Sequence, residues 1–245
     1  MSSYRDVLFQ TYNATHAKAL DGDEQARFAW FQQYAQVAYE PFLQPLVRAK
    51  TEILEIGCSK GFLLKALKSW GFEKLYGVDL SPEDIERARQ VAPFAETECC
   101  DAAEYLSSRP EKFDVVILKA VLEHVPKEHV LPLLQNIHQS LKPSGMVLID
   151  VPNMDWLFAS HERYMDFTHE GGFTKESLLQ ILRNVYASAE IKPVEFSALS
   201  ARGRLKQRLA RGILNTLLRW SDPDGAVNPI WSRSLVGVGR KQSGG

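Results

Sequence analysis

The chain has 245 residues, 45% of them hydrophobic, ample for one packed α/β domain with a decorated edge. Lys and Arg total 29 against 30 Asp and Glu, so the formal net charge of -1 creates no global field that would recruit nucleic acid. No apolar run nears the length of a membrane span and no charged start leads into an apolar core, while Cys58, Cys99 and Cys100 lack metal-ligand spacing and a disulfide framework, which together read as a reduced, cytoplasmic chain.

Residues 1–23 are polar and broken by Asp21-Gly22-Asp23. From Glu24 to Tyr39 the pattern predicts a helix with Phe28, Phe31, Ala35 and Ala38 on one face, ended by Pro41. Residues 1–48 therefore read as an N-terminal helical cap on a domain over 49–245. Alternation follows: a buried strand over Thr51–Ile56, a helix over Phe62–Trp70, a strand over Lys74–Val78 and a helix over Pro82–Val91. Thr97–Cys100 predicts a third strand, Ala102–Ser107 a helix, Phe113–Leu118 a fourth strand, Glu128–Leu141 a helix and Met146–Val151 a fifth strand. Residues 152–173 show no clear period and are rich in His, Asp, Trp and Phe. A helix over Lys175–Val185, a strand over Ser188–Phe196 and a last strand over Ser234–Arg240 complete the chain, with a basic insertion at 197–232. Strands alternating with helices of about 10–15 residues imply right-handed crossovers and a parallel sheet covered on both faces.

The sharpest motif is Ile53-Leu54-Glu55-Ile56-Gly57-Cys58-Ser59-Lys60-Gly61, a strand entering a glycine-containing turn before a helix. Gly57 and Gly61 permit a tight turn and close approach of a ligand to the backbone of Cys58 and Ser59. A dinucleotide site offers the same geometry, and Glu55 tips the choice. A carboxylate at this strand end would repel a pyrophosphate but suits an ammonium and a sulfonium, the charges of S-adenosylmethionine. Asp79, closing the second strand in Gly77-Val78-Asp79-Leu80, is placed to accept both ribose hydroxyls; Asp101 after the third strand could accept the adenine amino group. Leu80 and Ala102, beside these acids, and Lys119, after the fourth strand, join the expected cofactor contacts. The plain alternative for the acids is solvated loop carboxylates or helix N-caps.

In order, Glu55-x-Gly57-x-Ser59-x-Gly61, Val78-Asp79, Cys100-Asp101, Phe113-Asp114 and Val121-Leu122-Glu123-His124-Val125 resemble the motifs of class I S-adenosylmethionine-dependent methyltransferases. Leu141-Lys142-Pro143-Ser144-Gly145 is similar to that family's turn before the fifth strand. The resemblance covers roughly residues 50–195 and departs at Ser59, where a glycine is usual and a side chain crowds the turn. It implies a Rossmann-like, doubly wound α/β fold. Its seven-stranded sheet would be mostly parallel with an antiparallel last strand, carrying the N-terminal helical cap and the C-terminal helical insertion.

Asp166-Phe167-Thr168-His169-Glu170, then Phe173-Thr174-x-x-Ser177-Leu178, is similar to bacterial methyltransferases of polysaccharide and sugar biosynthesis. This loop leaves the ligand edge, where His169, oriented by Asp166, could take a hydroxyl proton. The alternative is that His169 caps the helix near Thr174 or bonds a loop carbonyl. His124 is a rival base, with a helix or turn cap as its alternative. The segment 120–126 also resembles ubiquinone-pathway O-methyltransferases, in which an acid ahead of Leu-Glu-His helps hold a divalent metal. Ala120 stands there, so the resemblance implies no metal.

In the insertion, Arg202, Arg204, Lys206, Arg208, Arg211 and Arg219 accompany Leu205, Leu209, Ile213, Leu217 and Trp220 at helical spacing. Packing on its own domain or a twin subunit is the first expectation for 201–220. Contact with an anionic membrane or a phosphate-bearing substrate is the other. Three functions remain: O-methylation of a sugar hydroxyl on a small molecule or glycan precursor; methylation of a quinone or other aromatic acceptor, suggested by 121–126, Trp156, Phe158, Tyr164 and Phe167; and non-catalytic S-adenosylmethionine binding.

Overall fold

A computed structural model describes residues 7–8, 24–48, 50–196, 201–221 and 231–243. The expectations placed on residues 1–6 and 9–23, and the parts of the insertion at 197–200 and 222–230, lie outside the described residues.

Helix α1 (Glu24–Ala38) leads into α2 (Glu40–Leu43), and the alternating core begins at β1 (Glu52–Ile56). There follow α3 (Phe62–Ser69), β2 (Lys74–Asp79), α4 (Pro82–Val91), β3 (Glu96–Cys99), α5 (Ala102–Ser107), β4 (Phe113–Lys119), α6 (Lys127–Ser140) and β5 (Leu141–Pro152). The remainder is α7 (Ala159–Tyr164), α8 (Lys175–Arg183), β6 (Ser188–Pro193), α9 (Ala201–Ser221) and β7 (Ser234–Arg240).

The seven strands form one sheet in the order β3-β2-β1-β4-β5-β7-β6. The first five are parallel, and β7 inserts antiparallel between β5 and β6. Every residue of β1 is buried because β2 and β4 flank it and helices cover both faces. One core holds Ile53, Val115, Ile117 and Leu148 against α1 to α4; the other holds Leu54, Val116, Ile149 and Leu235 against α5, α6 and α8. The order reverses at β1, whose successor β2 lies on one side and β4 on the other. The carboxyl ends of β1 and β4 therefore open the crevice where such sheets take ligands.

Helix α1 ends at Ala38, within a residue of the expected end, and Pro41 sits in the first turn of the separate α2, where its missing N–H costs nothing. Strand β6 ends at Pro193, short of the expected Phe196; the proline is tolerated because β6 is the outermost strand, and Val194 still donates to the Ser234 carbonyl of β7 at 3.0 Å. The 152–173 segment hides α7, whose six residues are too few to display a period. Helix α9 forms where expected, but with its faces reversed. Gln207, Arg211 and Asn215 meet the body: Gln207 donates to the Phe196 carbonyl, Arg211 pairs with Glu195 at 3.4 Å, and the Trp231 indole donates to Asn215. Leu205, Leu209, Ile213, Leu217 and Trp220 point outward, 52% to 87% exposed. The expected packing of this stripe on its own domain is therefore not found.

Candidate active site

The turn after β1 is closed by the Gly57 and Cys58 amides, which both donate to the Val78 carbonyl of β2 at 2.8 and 3.0 Å. Gly57 has φ 72°, and a Cβ there would lie 2.3 Å from Val121 Cγ2, so glycine is required both by conformation and by space. Gly61 (φ 78°) starts α3, and Ser59 takes φ 43°, a left-handed conformation that a side chain adopts at a cost. Cys58 is buried against Gly77, as a turn residue offering backbone rather than thiol.

Glu55 is buried at the end of β1, and its Oε2 has no hydrogen-bond partner among the described residues. Burial lifts its carboxyl well above the usual range, opposed by the charge of Lys119 at the end of β4. A buried carboxylate with one unpartnered oxygen beside a glycine turn fits a ligand that brings its own cation. Asp79 is held from both sides: Oδ2 accepts from the Ser59 amide and Oδ1 from the Ser81 amide, each at 2.9 Å. Burial raises its carboxyl too. Leu80 beside it is exposed. Asp101 caps α5, its Oδ1 accepting from the amides of Ala103 (2.7 Å) and Glu104 (3.4 Å), with half-buried Ala102 opening that helix. Glu55, Gly57, Asp79 and Asp101 thus stand at three adjacent strand ends. Asp101 also carries the capping role that was its alternative.

On the other side of β1, Ala120 takes φ 51° and turns the chain into a 3-10 turn, Leu122–His124. Glu123 in that turn is 2% exposed, and neither carboxylate oxygen has a hydrogen-bond partner among the described residues. Burial pushes its carboxyl up to about 8, with the Asp150 charge adding to the shift. The amides of Glu170 and Gly171 donate to the Glu123 carbonyl (2.8 and 3.1 Å), and Arg163 donates to the carbonyls of His169 and Glu170. These bonds fasten the 166–171 loop to the end of β4.

That fastening brings His124 and His169 together, ring centroids 4.7 Å apart at 64°. His169 Nδ1 lies 2.9 Å from the Glu162 carbonyl. A carbonyl only accepts, so Nδ1 carries the proton and Nε2 the lone pair. His124 Nδ1 lies 2.8 Å from Thr168 Oγ1, whose single hydrogen goes to Asp166 Oδ1 at 2.7 Å. His124 must then donate from Nδ1, and its lone pair too is on Nε2. This corrects the expected pairing. Asp166 steadies His124 through Thr168, while the acceptor that orients His169 is a backbone carbonyl. The helix at Thr174 needs no histidine, since Thr174 and Ser177 form their own capping box. Next to the pair lies a cavity of about 500 Å³ lined by Arg163, Tyr164, Asp166, Phe167 and His169. Tyr164 and Phe167 are exposed at its rim.

Asp150 escaped the sequence reading. It is buried in β5, where it accepts hydrogen bonds from Tyr34 (2.7 and 2.9 Å) and Tyr39, so that the α1–α2 segment is tied across the sheet beside Lys119. An acid inside the apolar run Met146–Val151 was the available signal. Thr168 carried no such signal, because its role exists only once His124 and Asp166 meet.

A family model described as a methyltransferase domain matches residues 7–186. The ubiquinone biosynthesis O-methyltransferase of Neisseria meningitidis serogroup A / serotype 4A is 28% identical over 106 residues, 41% of this chain and 44% of that protein. The chain thus spans less than half the length of that relative. A SAM-dependent methyltransferase from Archaeoglobus fulgidus superposes with a TM-score of 0.64 at 20% identity, covering 98% of this chain and all of that one. The N-methyltransferase NodS of Bradyrhizobium japonicum WM9, in complex with S-adenosyl-L-homocysteine, superposes with a TM-score of 0.56 at 18% identity, over 89% of this chain and 87% of that one.

Proposed function

The chain belongs to the methyltransferase-domain family of S-adenosylmethionine-dependent enzymes, and on that premise we propose that it methylates a hydroxyl oxygen of a sugar, on a small molecule or a glycan precursor. The observation that carries the cofactor half is the buried Glu55 with its unpartnered oxygen, set between the Gly57 turn and the Asp79 and Asp101 strand ends. Glu55 would hold an ammonium group, the turn of Gly57, Cys58, Ser59 and Gly61 would let the cofactor approach the backbone, and Asp79 would accept from ribose hydroxyls. Asp101 and Ala102 would meet the base, with Leu80 and Lys119 flanking. Bound there, S-adenosylmethionine supplies a methyl group made electrophilic by its sulfonium charge.

The chain's own task is to present a nucleophile. A sugar hydroxyl is a poor one at neutral pH, and His124 and His169, each with an Nε2 lone pair, flank the place where it would enter. Charge is lost as a proton-releasing oxygen meets a sulfonium, so a closed, dry site favours the reaction and positioning supplies much of the rate. The bonds from Tyr34 and Tyr39 to Asp150, and from Arg163 to the loop, fix the walls. The 166–178 run supports a sugar acceptor, and the Tyr164 and Phe167 rings can pack on a sugar face. A phenol or quinone precursor is the second reading, favoured by the N. meningitidis relative.

Two measurements test this. Asp79→Ala should weaken S-adenosylhomocysteine binding by about 1.5–3 kcal/mol in calorimetry, as for hydrogen bonds to a charged acceptor; unchanged affinity removes Asp79 from the site. Mass spectrometry of glycan and quinone precursors incubated with the protein and cofactor should show a methyl gain on the glycans, and a gain on the quinone precursors alone selects the second reading.

The outward stripe of α9, bordered by Arg202, Arg204, Lys206, Arg208 and Arg219, supports peripheral contact with an anionic membrane as part of the same proposal. No helix among the described residues is long and apolar enough to cross one.

A further inference from the structure

We propose that Glu123, His124 and His169 form a site for one divalent first-row transition-metal ion, which holds and polarises the acceptor oxygen. This deepens the methyl-transfer reading by giving the two Nε2 lone pairs to an ion, which would make the acceptor hydroxyl more acidic, in place of histidine base catalysis; only the ion's role toward the acceptor rests on that reading.

One ligand atom from each of the three side chains lies within 4.8 Å of the others. Such a cluster by itself is common; here the carboxylate adds a separate reason. Glu123 is almost fully buried and both its oxygens lack hydrogen-bond partners among the described residues, an arrangement that a protein interior tolerates when a cation supplies the missing contacts. The imidazoles are prepared in the way that metal-bound imidazoles are. Each has its Nδ1 proton committed to an oxygen, the Glu162 carbonyl for His169 and Thr168 Oγ1 for His124, which fixes the tautomer and leaves the Nε2 lone pair to coordinate. The ligands sit on two segments that are already joined by the Glu170 and Gly171 amides on the Glu123 carbonyl, so little ordering remains to be done on binding.

Two imidazole nitrogens and one carboxylate favour zinc, cobalt, nickel, manganese or ferrous ion over magnesium or calcium, which prefer all-oxygen sets. Three protein ligands also leave coordination positions for an oxygen of the acceptor. The arrangement reverses the expectation drawn from Ala120. The acid missing before Leu122-Glu123-His124 is not needed, because the third donor comes from His169, 45 positions after His124 and on another loop.

The test uses the full chain, free of any histidine tag and stripped with a chelator, titrated with cobalt(II) by calorimetry and visible absorption. One ion per chain, with the d–d bands of a nitrogen-containing site, is the expected result. His169→Ala and Glu123→Gln should each weaken binding by at least about tenfold. His129→Ala, an exposed histidine of α6, should leave binding unchanged. No saturable cobalt binding by the unaltered chain overturns the proposal, as does undiminished binding by His169→Ala. S-adenosylhomocysteine calorimetry on the same samples reports folding and separates the two readings. Cobalt binding without S-adenosylhomocysteine binding overturns the cofactor assignment and leaves the metal site standing; the opposite pattern overturns the metal site alone. If His169→Ala loses S-adenosylhomocysteine binding through misfolding, His169→Gln, which keeps the bulk, gives the same comparison.

Discussion

Position 57 has no room for a side chain: the turn needs φ 72°, and Val121 occupies the space where a Cβ would go. Gly57→Ala combines left-handed strain of about 1–2 kcal/mol with displacement of the Val121 side chain, so urea denaturation should show a loss above about 2 kcal/mol. The same variant should lose S-adenosylhomocysteine affinity, because the turn opens. A second residue-scale expectation concerns Asp150, which has Tyr34 and Tyr39 as hydroxyl donors and Lys119 as the opposing charge. Tyr39→Phe leaves that buried carboxylate short of a donor and should cost about 1–3 kcal/mol. Tyr164→Phe, on an exposed ring, should change stability by less than about 0.5 kcal/mol. Equal effects in the two variants would show that the Asp150 bonds do not tie α1 and α2 to the sheet.

Among the elements, α9 departs furthest from its periodicity. The apolar spacing Leu205, Leu209, Ile213, Leu217 signals an amphipathic helix, and the helix is there, but Gln207, Arg211 and Asn215 hold it to the body and turn the apolar stripe outward. If that stripe meets an anionic membrane, the protein should co-sediment with phosphatidylglycerol vesicles and far less with neutral phosphatidylcholine ones. Raised salt should release it, since exposed charges are screened beyond a Debye length. Leu209→Asp with Ile213→Asp should abolish sedimentation while S-adenosylhomocysteine binding persists. Sedimentation that ignores lipid charge, or none at all, removes the membrane; a concentration-dependent dimer lost in the double variant would assign the stripe to a second copy.

The whole molecule divides its work between the two edges of the sheet. The candidate site lies at the carboxyl ends, while at the opposite edge Glu52, starting β1, binds Lys112 Nζ at 2.7 Å and Lys142 Nζ at 2.9 Å, and Lys142 reaches Asp114 at 2.8 Å. This network joins the starts of β1, β4 and β5, at the end of the sheet away from the candidate site. Burial alone would raise the Glu52 carboxyl, but the hydrogen bonds from Lys112 and Lys142 outweigh it and lower the carboxyl from 4.5 to about 2. A depressed folded value means that the stabilisation is complete above pH 4.5 and is lost as pH falls toward about 2. Melting temperature should therefore drop across that window, and Glu52→Gln should flatten this limb while leaving cofactor affinity near neutral pH unchanged. A Glu52→Gln profile that matches the unaltered chain would show that the network contributes nothing to acid stability.

The layered fold was legible in the sequence because its signals are local: strand-length apolar runs, helix-length periods and the Gly57–Gly61 turn repeat the same physics wherever they occur. The acids at 55, 79 and 101 were legible for a related reason, since adjacent parallel strands must bring their ends to one edge. What a side chain does there depended on partners distant in sequence. Asp101 caps a helix, Asp166 serves His124 through Thr168 rather than His169, and Glu123 lies buried beside two imidazoles. Hydrogen-bond partnership and burial are properties of assembled space. The pairing of His124 with His169, the tie from Asp150 to α1 and the outward face of α9 were therefore decided only when the chain packed.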